Sequence, residues 1–124
     1  MILLTTDEII TAYHKLIAKT GGLDGLRDKG LLESAVCSAN ASFDGFEQYP
    51  SIEEKAARLA YAIMTNHAFL DGNKRIGILV MLMTLRLNQV QISYSQAELI
   101  ELGLSIAAGQ SDYSNIYNWI VSHI

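Results

Sequence analysis

The chain has 124 residues, half of them hydrophobic and 18% charged, with a net charge of −4. That is too apolar for a disordered segment and long enough for a single domain, residues 1–124, with one core. The acidic balance gives no electrostatic footprint for nucleic acid or a membrane surface, so neither is expected as a partner.

The N-terminus has no basic region followed by a long apolar stretch, so no leader is expected, and a single cysteine suits a reducing compartment, so a cytoplasmic location is expected. Thr5-Thr6-Asp7-Glu8 reads as a capping box, and Ile9, Tyr13, Leu16 and Ile17 then recur at helical spacing. Gly21-Gly22 stops this first helix. Residues 22–30 hold three glycines and are expected to turn the chain rather than to line a pocket. A second helix is expected over residues 31–41. It contains Cys37, the one cysteine, so no internal disulfide can form. Cys37 is expected as a small buried hydrophobe in that helix.

Residues 42–49 differ in kind. Phe43, Phe46 and Tyr49 surround Asp44-Gly45, a hairpin-forming pair. Three aromatics in a short polar segment need a core to fold onto or a partner. Ser51 to Glu54 is a second capping box, and Ala56, Leu59, Ala60, Ile63 and Met64 mark an amphipathic helix to about Asn66.

Residues 67–72 interrupt the helical pattern, and a helix apolar nearly all round follows from Asn73 or Lys74 to about Asn88. Such a helix belongs at the centre of a bundle. Its longest apolar stretch is about half a membrane span and ends at Arg86. Ser95 to Glu98 is a third capping box, opening a helix that Gly109 closes. A final helix runs from about Tyr113 to Val121, with Ile116, Trp119 and Ile120 inward. The fold class is all-α: a compact bundle of about six helices, with the segment of most chemical interest at the N-terminus of a buried central helix.

That segment is His67-Ala68-Phe69-Leu70-Asp71-Gly72-Asn73-Lys74-Arg75. The first backbone N–H groups of a helix lack internal acceptors and face the preceding loop with the positive end of the dipole. Lys74 and Arg75 in the first turn therefore oppose the dipole, at a cost of about 0.3–1 kcal/mol each. An anion bound there would remove the conflict. Gly72 permits positive φ or close approach of a phosphate. Asp71 is a hard oxygen ligand suited to Mg²⁺. Arg75 offers a planar fork and Lys74 a point charge. His67 changes charge near neutral pH, so its neutral form can take a proton from a hydroxyl. A buried Phe69 would anchor the loop.

The run resembles the Fic/Doc signature, His-Pro-Phe-x-Asp/Glu-Gly-Asn-Gly/Lys-Arg, at His67, Phe69, Asp71, Gly72, Asn73, Lys74 and Arg75. Lys74 in place of glycine is similar to the Doc (death-on-curing) branch. The Gly21-Gly22-Leu23 turn and the stretch from Tyr49 to Ala57 resemble it too. The resemblance implies a toxin of a toxin–antitoxin pair that carries the γ-phosphoryl group of Mg-ATP to a protein hydroxyl, on elongation factor Tu, blocking translation. It implies His67 as base, Asp71 at Mg²⁺ or the acceptor, and Gly72, Asn73, Lys74 and Arg75 around the phosphates. It also implies residues 42–49, with Phe43, Phe46 and Tyr49, as a target-docking flap, and an antitoxin protein as partner. Two positions depart: Ala68 stands where proline is usual, and Ile78 where AMP-transferring relatives carry a second arginine. AMP transfer and a noncatalytic nucleotide- or partner-binding module remain the alternatives.

Overall fold

The structure, a computed structural model, describes residues 1–110 and 112–124. Six helices, α1 (Thr6–Thr20), α2 (Lys29–Ala39), α3 (Ile52–Asn66), α4 (Asn73–Leu87), α5 (Gln96–Ala107) and α6 (Tyr113–Ser122), are joined by loops and one small hairpin of β1 (Ser42–Phe43) and β2 (Phe46–Glu47). The all-α expectation holds.

The caps read from sequence form as side-chain hydrogen bonds. Thr5 and Glu8 close α1, Ser51 and Glu54 close α3, and Ser95 and Glu98 close α5, each in a reciprocal box. Asp112 and Asn115 build a fourth box at α6. Asp28 caps α2, which therefore starts at Lys29, two residues before the expected start, and ends at Ala39 with Asn40 as its C-cap. No helix among the described residues is long and apolar enough to cross a membrane.

The centre is shared by α3 and α4. Helix α3 packs against α2, α4 and α6, while α4 also meets α1 and α5. Small residues make the α3–α4 approach close: Ala60 lies on α3, and a Cβ on Gly77 of α4 would sit 2.7 Å from Met64 Cγ and 3.1 Å from Ala60 O. Buried side chains form two clusters on either side of this pair. One joins Ile9, Tyr13, Leu32, Ile63, Phe69 and Ile76, and the other joins Ala57, Met81, Leu85, Leu102, Ile116 and Ile120. At roughly 25 cal/mol per Å² of apolar surface, such burial is the main force holding the helices together. Helix α4 is not covered all round: Leu79 and Met83 border an open groove of about 670 Å³ against α1.

Cys37 corrects an expectation, because it is exposed. Helix α2 buries Leu32, Ala35 and Ala39, which share one helical face, and Cys37 lies off that face.

Candidate active site

The loop between α3 and α4 is held from three sides. Below it, Phe69 is buried and stacks on Tyr13 of α1, with ring centroids 3.8 Å apart and planes at 15°. Tyr13 Oη lies 2.8 Å from Asp71 O and 3.0 Å from Leu23 O, within donating distance of both carbonyls. Behind it, the Asn73 side chain grips Phe69 at both backbone atoms: Nδ2 donates to Phe69 O (3.0 Å) and Oδ1 accepts from Phe69 N (3.1 Å). Beside it run residues 22–28. Leu70 N donates to Gly25 O (2.9 Å), Arg27 N and Asp28 N donate to Ala68 O (2.8 and 3.0 Å), and Leu26 pairs with Phe69 as an antiparallel bridge. The glycine-rich segment, expected to turn the chain, also runs along this loop as a side wall, while the cleft itself is lined by His67 and residues 70–75. Glycine suits position 22, whose φ of 115° side chains rarely adopt and where a Cβ would lie 2.6 Å from Asp71 Oδ2.

His67 ends α3 in the left-handed conformation, φ 53° and ψ 46°. Its carbonyl accepts from Arg27 Nε (2.9 Å) and from Arg27 Nη2. Its side chain is exposed and finds no hydrogen-bond partner among the described residues. Together with residues 70–75 it lines a cleft of about 360 Å³.

Across the cleft, α4 begins at Gly72, φ 78°. It is the one helix of the six with no side-chain cap. Gly72 N is taken by Asp71 Oδ1 (2.8 Å), and the first bond back to the loop is Ile76 N to Gly72 O. The N–H groups of Asn73, Lys74 and Arg75 find no acceptor among the described residues. Three adjacent free donors at the positive end of a buried helix make an anion cradle. No acid sits in this first turn.

The side chains around the cradle have unequal freedom. Lys74 is exposed, with no ion pair or hydrogen bond among the described residues. Arg75 is partly engaged, donating from Nη1 to Thr20 Oγ1 (2.7 Å) and Gly21 O (2.8 Å), with Nη2 3.8 Å from Asp71 Oδ2. Asp71 Oδ2 also accepts from Leu23 N (3.2 Å), and the side chain stays 46% exposed. Asn73 has spent its side chain on Phe69, leaving its backbone N–H to face a ligand. The described residues contain no cluster of three acids, histidines or cysteines. A lone carboxylate still fits Mg²⁺, which takes most of its ligands from phosphate and water.

The hairpin stands elsewhere. It precedes α3 while His67 follows it, and 15 helical residues rise about 22 Å. Phe43 and Phe46 form a cross-strand pair in solvent, 75% and 76% exposed. Tyr49 folds back edge-on to Tyr113, with centroids 5.1 Å apart. The structure thus brings together His67, Phe69, Asp71, Gly72, Asn73, Lys74 and Arg75, and leaves the three aromatics at the far end of α3. Sequence reasoning missed Tyr13, Gly22 and Arg27.

A free histidine, an uncapped helix start, a carboxylate and an exposed cation thus share one cleft, an arrangement chemically suited to handling phosphate. Residues 3–85 match the Fic/DOC family, and the chain belongs to it. It is 40% identical over 90 residues to "Toxin Doc" of Mycolicibacterium smegmatis, covering 73% of this chain and 67% of that protein. It is 29% identical over 113 residues to "Protein kinase doc" of Escherichia phage P1, covering 91% and 88%.

Proposed function

We propose that this chain is the toxin of a toxin–antitoxin pair and a protein phosphotransferase, carrying the γ-phosphoryl group of ATP to a hydroxyl of a cytoplasmic protein, with elongation factor Tu as the acceptor to test first. The observation that carries the reading is the pairing of an unengaged imidazole, His67, with three free N–H donors at the start of α4. The names of the two relatives, a toxin and a protein kinase, support it.

The chemistry follows from the residues. Phosphoryl transfer asks a protein chiefly for positioning and charge stabilisation. The backbone N–H groups of Asn73, Lys74 and Arg75 would hold phosphate oxygens, and Lys74 would swing its ammonium onto them. Arg75 has donors left beyond those given to Thr20 and Gly21. The acceptor oxygen attacks the γ-phosphorus, its proton passes to His67, and the bond to the β-bridging oxygen breaks to release ADP. Magnesium brought in with ATP would neutralise part of the phosphate charge, and Asp71 is the carboxylate suited to it. Because residues 42–49 lie at the far end of α3, the wall formed by residues 22–28 is the better candidate for guiding an acceptor past the base. Leu23 and Leu70, 69% and 56% exposed, offer apolar contact there.

The test is His67→Ala with γ-labelled ATP and purified elongation factor Tu. Label on the acceptor should fall by at least ~100-fold, the range expected for a lost base. The helical circular dichroism and melting temperature should be unchanged, because the ring is exposed. Transfer near the wild-type level would remove His67 from the role.

A further inference from the structure

Arg27 is the side chain whose position neither folding nor phosphate binding accounts for. It is exposed, and it points both Nε and Nη2 at one atom, the carbonyl oxygen of His67. That atom belongs to a residue in an uncommon conformation. Non-glycine residues at positive φ are scarce, and such strain persists only where surrounding contacts over-determine it. Helix α3 has no basic residue in its last turn, so its terminal carbonyls carry the negative end of the dipole unopposed by their own helix. Arg27 supplies the missing cation from the opposite strand of the loop pair. Two further bonds, from Arg27 N and Asp28 N to Ala68 O, fix its own backbone against the segment it clamps.

We propose that Arg27 is a positioning residue for the catalytic base: its two-pronged grip on the His67 carbonyl holds that residue left-handed and so aims the imidazole at the acceptor. The chain direction at His67 sets where its ring points, and a right-handed residue there would continue α3 and swing the ring away from the cleft. The fork geometry matters, because a guanidinium can present two parallel donors to one oxygen and an ammonium cannot hold the same orientation. This rests on the reading of His67 as the base. The conformational part stands apart from any activity.

The experiment compares wild type with Arg27→Lys and Arg27→Leu in two arms. In the first, steady-state transfer from γ-labelled ATP to elongation factor Tu should show kcat lowered in Arg27→Leu by up to ~100-fold, the scale of a misaimed reacting group. KM for ATP should stay within about twofold, since the phosphate cradle is built on α4 and not on Arg27. Arg27→Lys should fall between. In the second arm, the backbone ¹³C shifts of His67 should leave left-handed values in Arg27→Leu, while those of Phe69 and Asn73, braced separately, stay put. Unchanged His67 shifts in Arg27→Leu would overturn the proposal. So would a rise in KM for ATP at constant kcat. If wild type labels no acceptor, the phosphotransfer reading fails instead, and the shifts alone decide whether Arg27 holds His67.

Discussion

Gly72 meets two constraints at once. Its φ of 78° is one that a side chain strains to adopt, and an added Cβ would lie 2.9 Å from Ile17 Cδ1 and 3.2 Å from Arg75 Nη2. Gly72→Ala should therefore cost about 1–2 kcal/mol, the sum of left-handed strain and crowding. It should also tilt the α4 N-terminus out of line with the cleft. Thermal melting and nucleotide titration read the two effects, and a variant as stable as wild type that binds ATP normally would defeat the argument. Much of this site was legible at the residue scale, because its chemistry sits within nine consecutive positions. What was not legible came from across the fold. Tyr13 and Arg27 reach Asp71 and His67 over sequence separations of 58 and 40, and nothing local marks an arginine in a turn as a clamp. Asn73 shows a second limit: a residue type suited to phosphate turns its side chain to its own loop.

Among the elements, helix ends were the easiest to read. A Ser or Thr three residues before Glu is a local signal, and all three such boxes formed. The fourth went unread because Asn115, not Glu or Gln, closes it. The hairpin was readable in kind, as Asp44 and Gly45 take φ of 51° and 80°, but its distance from the base followed from helix lengths and packing. Its anchor also escaped notice. Lys55, 1% exposed, donates to Ala39 O (3.1 Å) at the end of α2 and to Glu47 Oε1 (3.0 Å) on β2. Glu47→Gln should free the hairpin without unfolding the bundle, because the Glu47 side chain is half exposed. Amide exchange at residues 42–47 should quicken by about tenfold, the scale of one charge-assisted hydrogen bond. Exchange as slow as wild type would show that Tyr49 packing holds the hairpin alone.

At the other end of the bundle, His123 ties α6 to α5. Its Nδ1 faces Trp119 O and its Nε2 faces Glu98 Oε2, so the ring meets an acceptor at each nitrogen. The Trp119 carbonyl first, and Glu98 next, raise its pKa above the ordinary 6.5. Glu98 is lowered from 4.5, chiefly by the Ser95 N–H and then by His123. The signs follow from linkage. The histidine contribution is complete below pH 6.5 and lost as pH rises through its raised value. The glutamate contribution is complete above pH 4.5 and lost as pH falls through its lowered value. Melting temperature should thus decline from pH 6.5 upward, and His123→Gln should flatten that decline. Parallel curves for the two proteins would remove the pair as the cause.

For the whole molecule, the helical class and its order were set by apolar periodicity, and they hold. The arrangement around α3 was not visible, since periodicity ranks faces by apolarity without saying which helix meets which. Small residues at Ala60 and Gly77 decide that approach sterically. Net charge of −4 spreads over the chain, yet the first turn of α4 carries two cations and no acid. Among the described helices of this acidic chain, α4 is the one whose start is uncapped and cationic. The phosphate that reacts is the central question. Wild type incubated with Mg²⁺, purified elongation factor Tu and ATP labelled at either the α- or the γ-phosphate answers it directly. Label should reach the acceptor from the γ position alone, leaving ADP. Label from the α position, with release of pyrophosphate, would contradict phosphoryl transfer and mark the chain as an AMP-transferring member of its family.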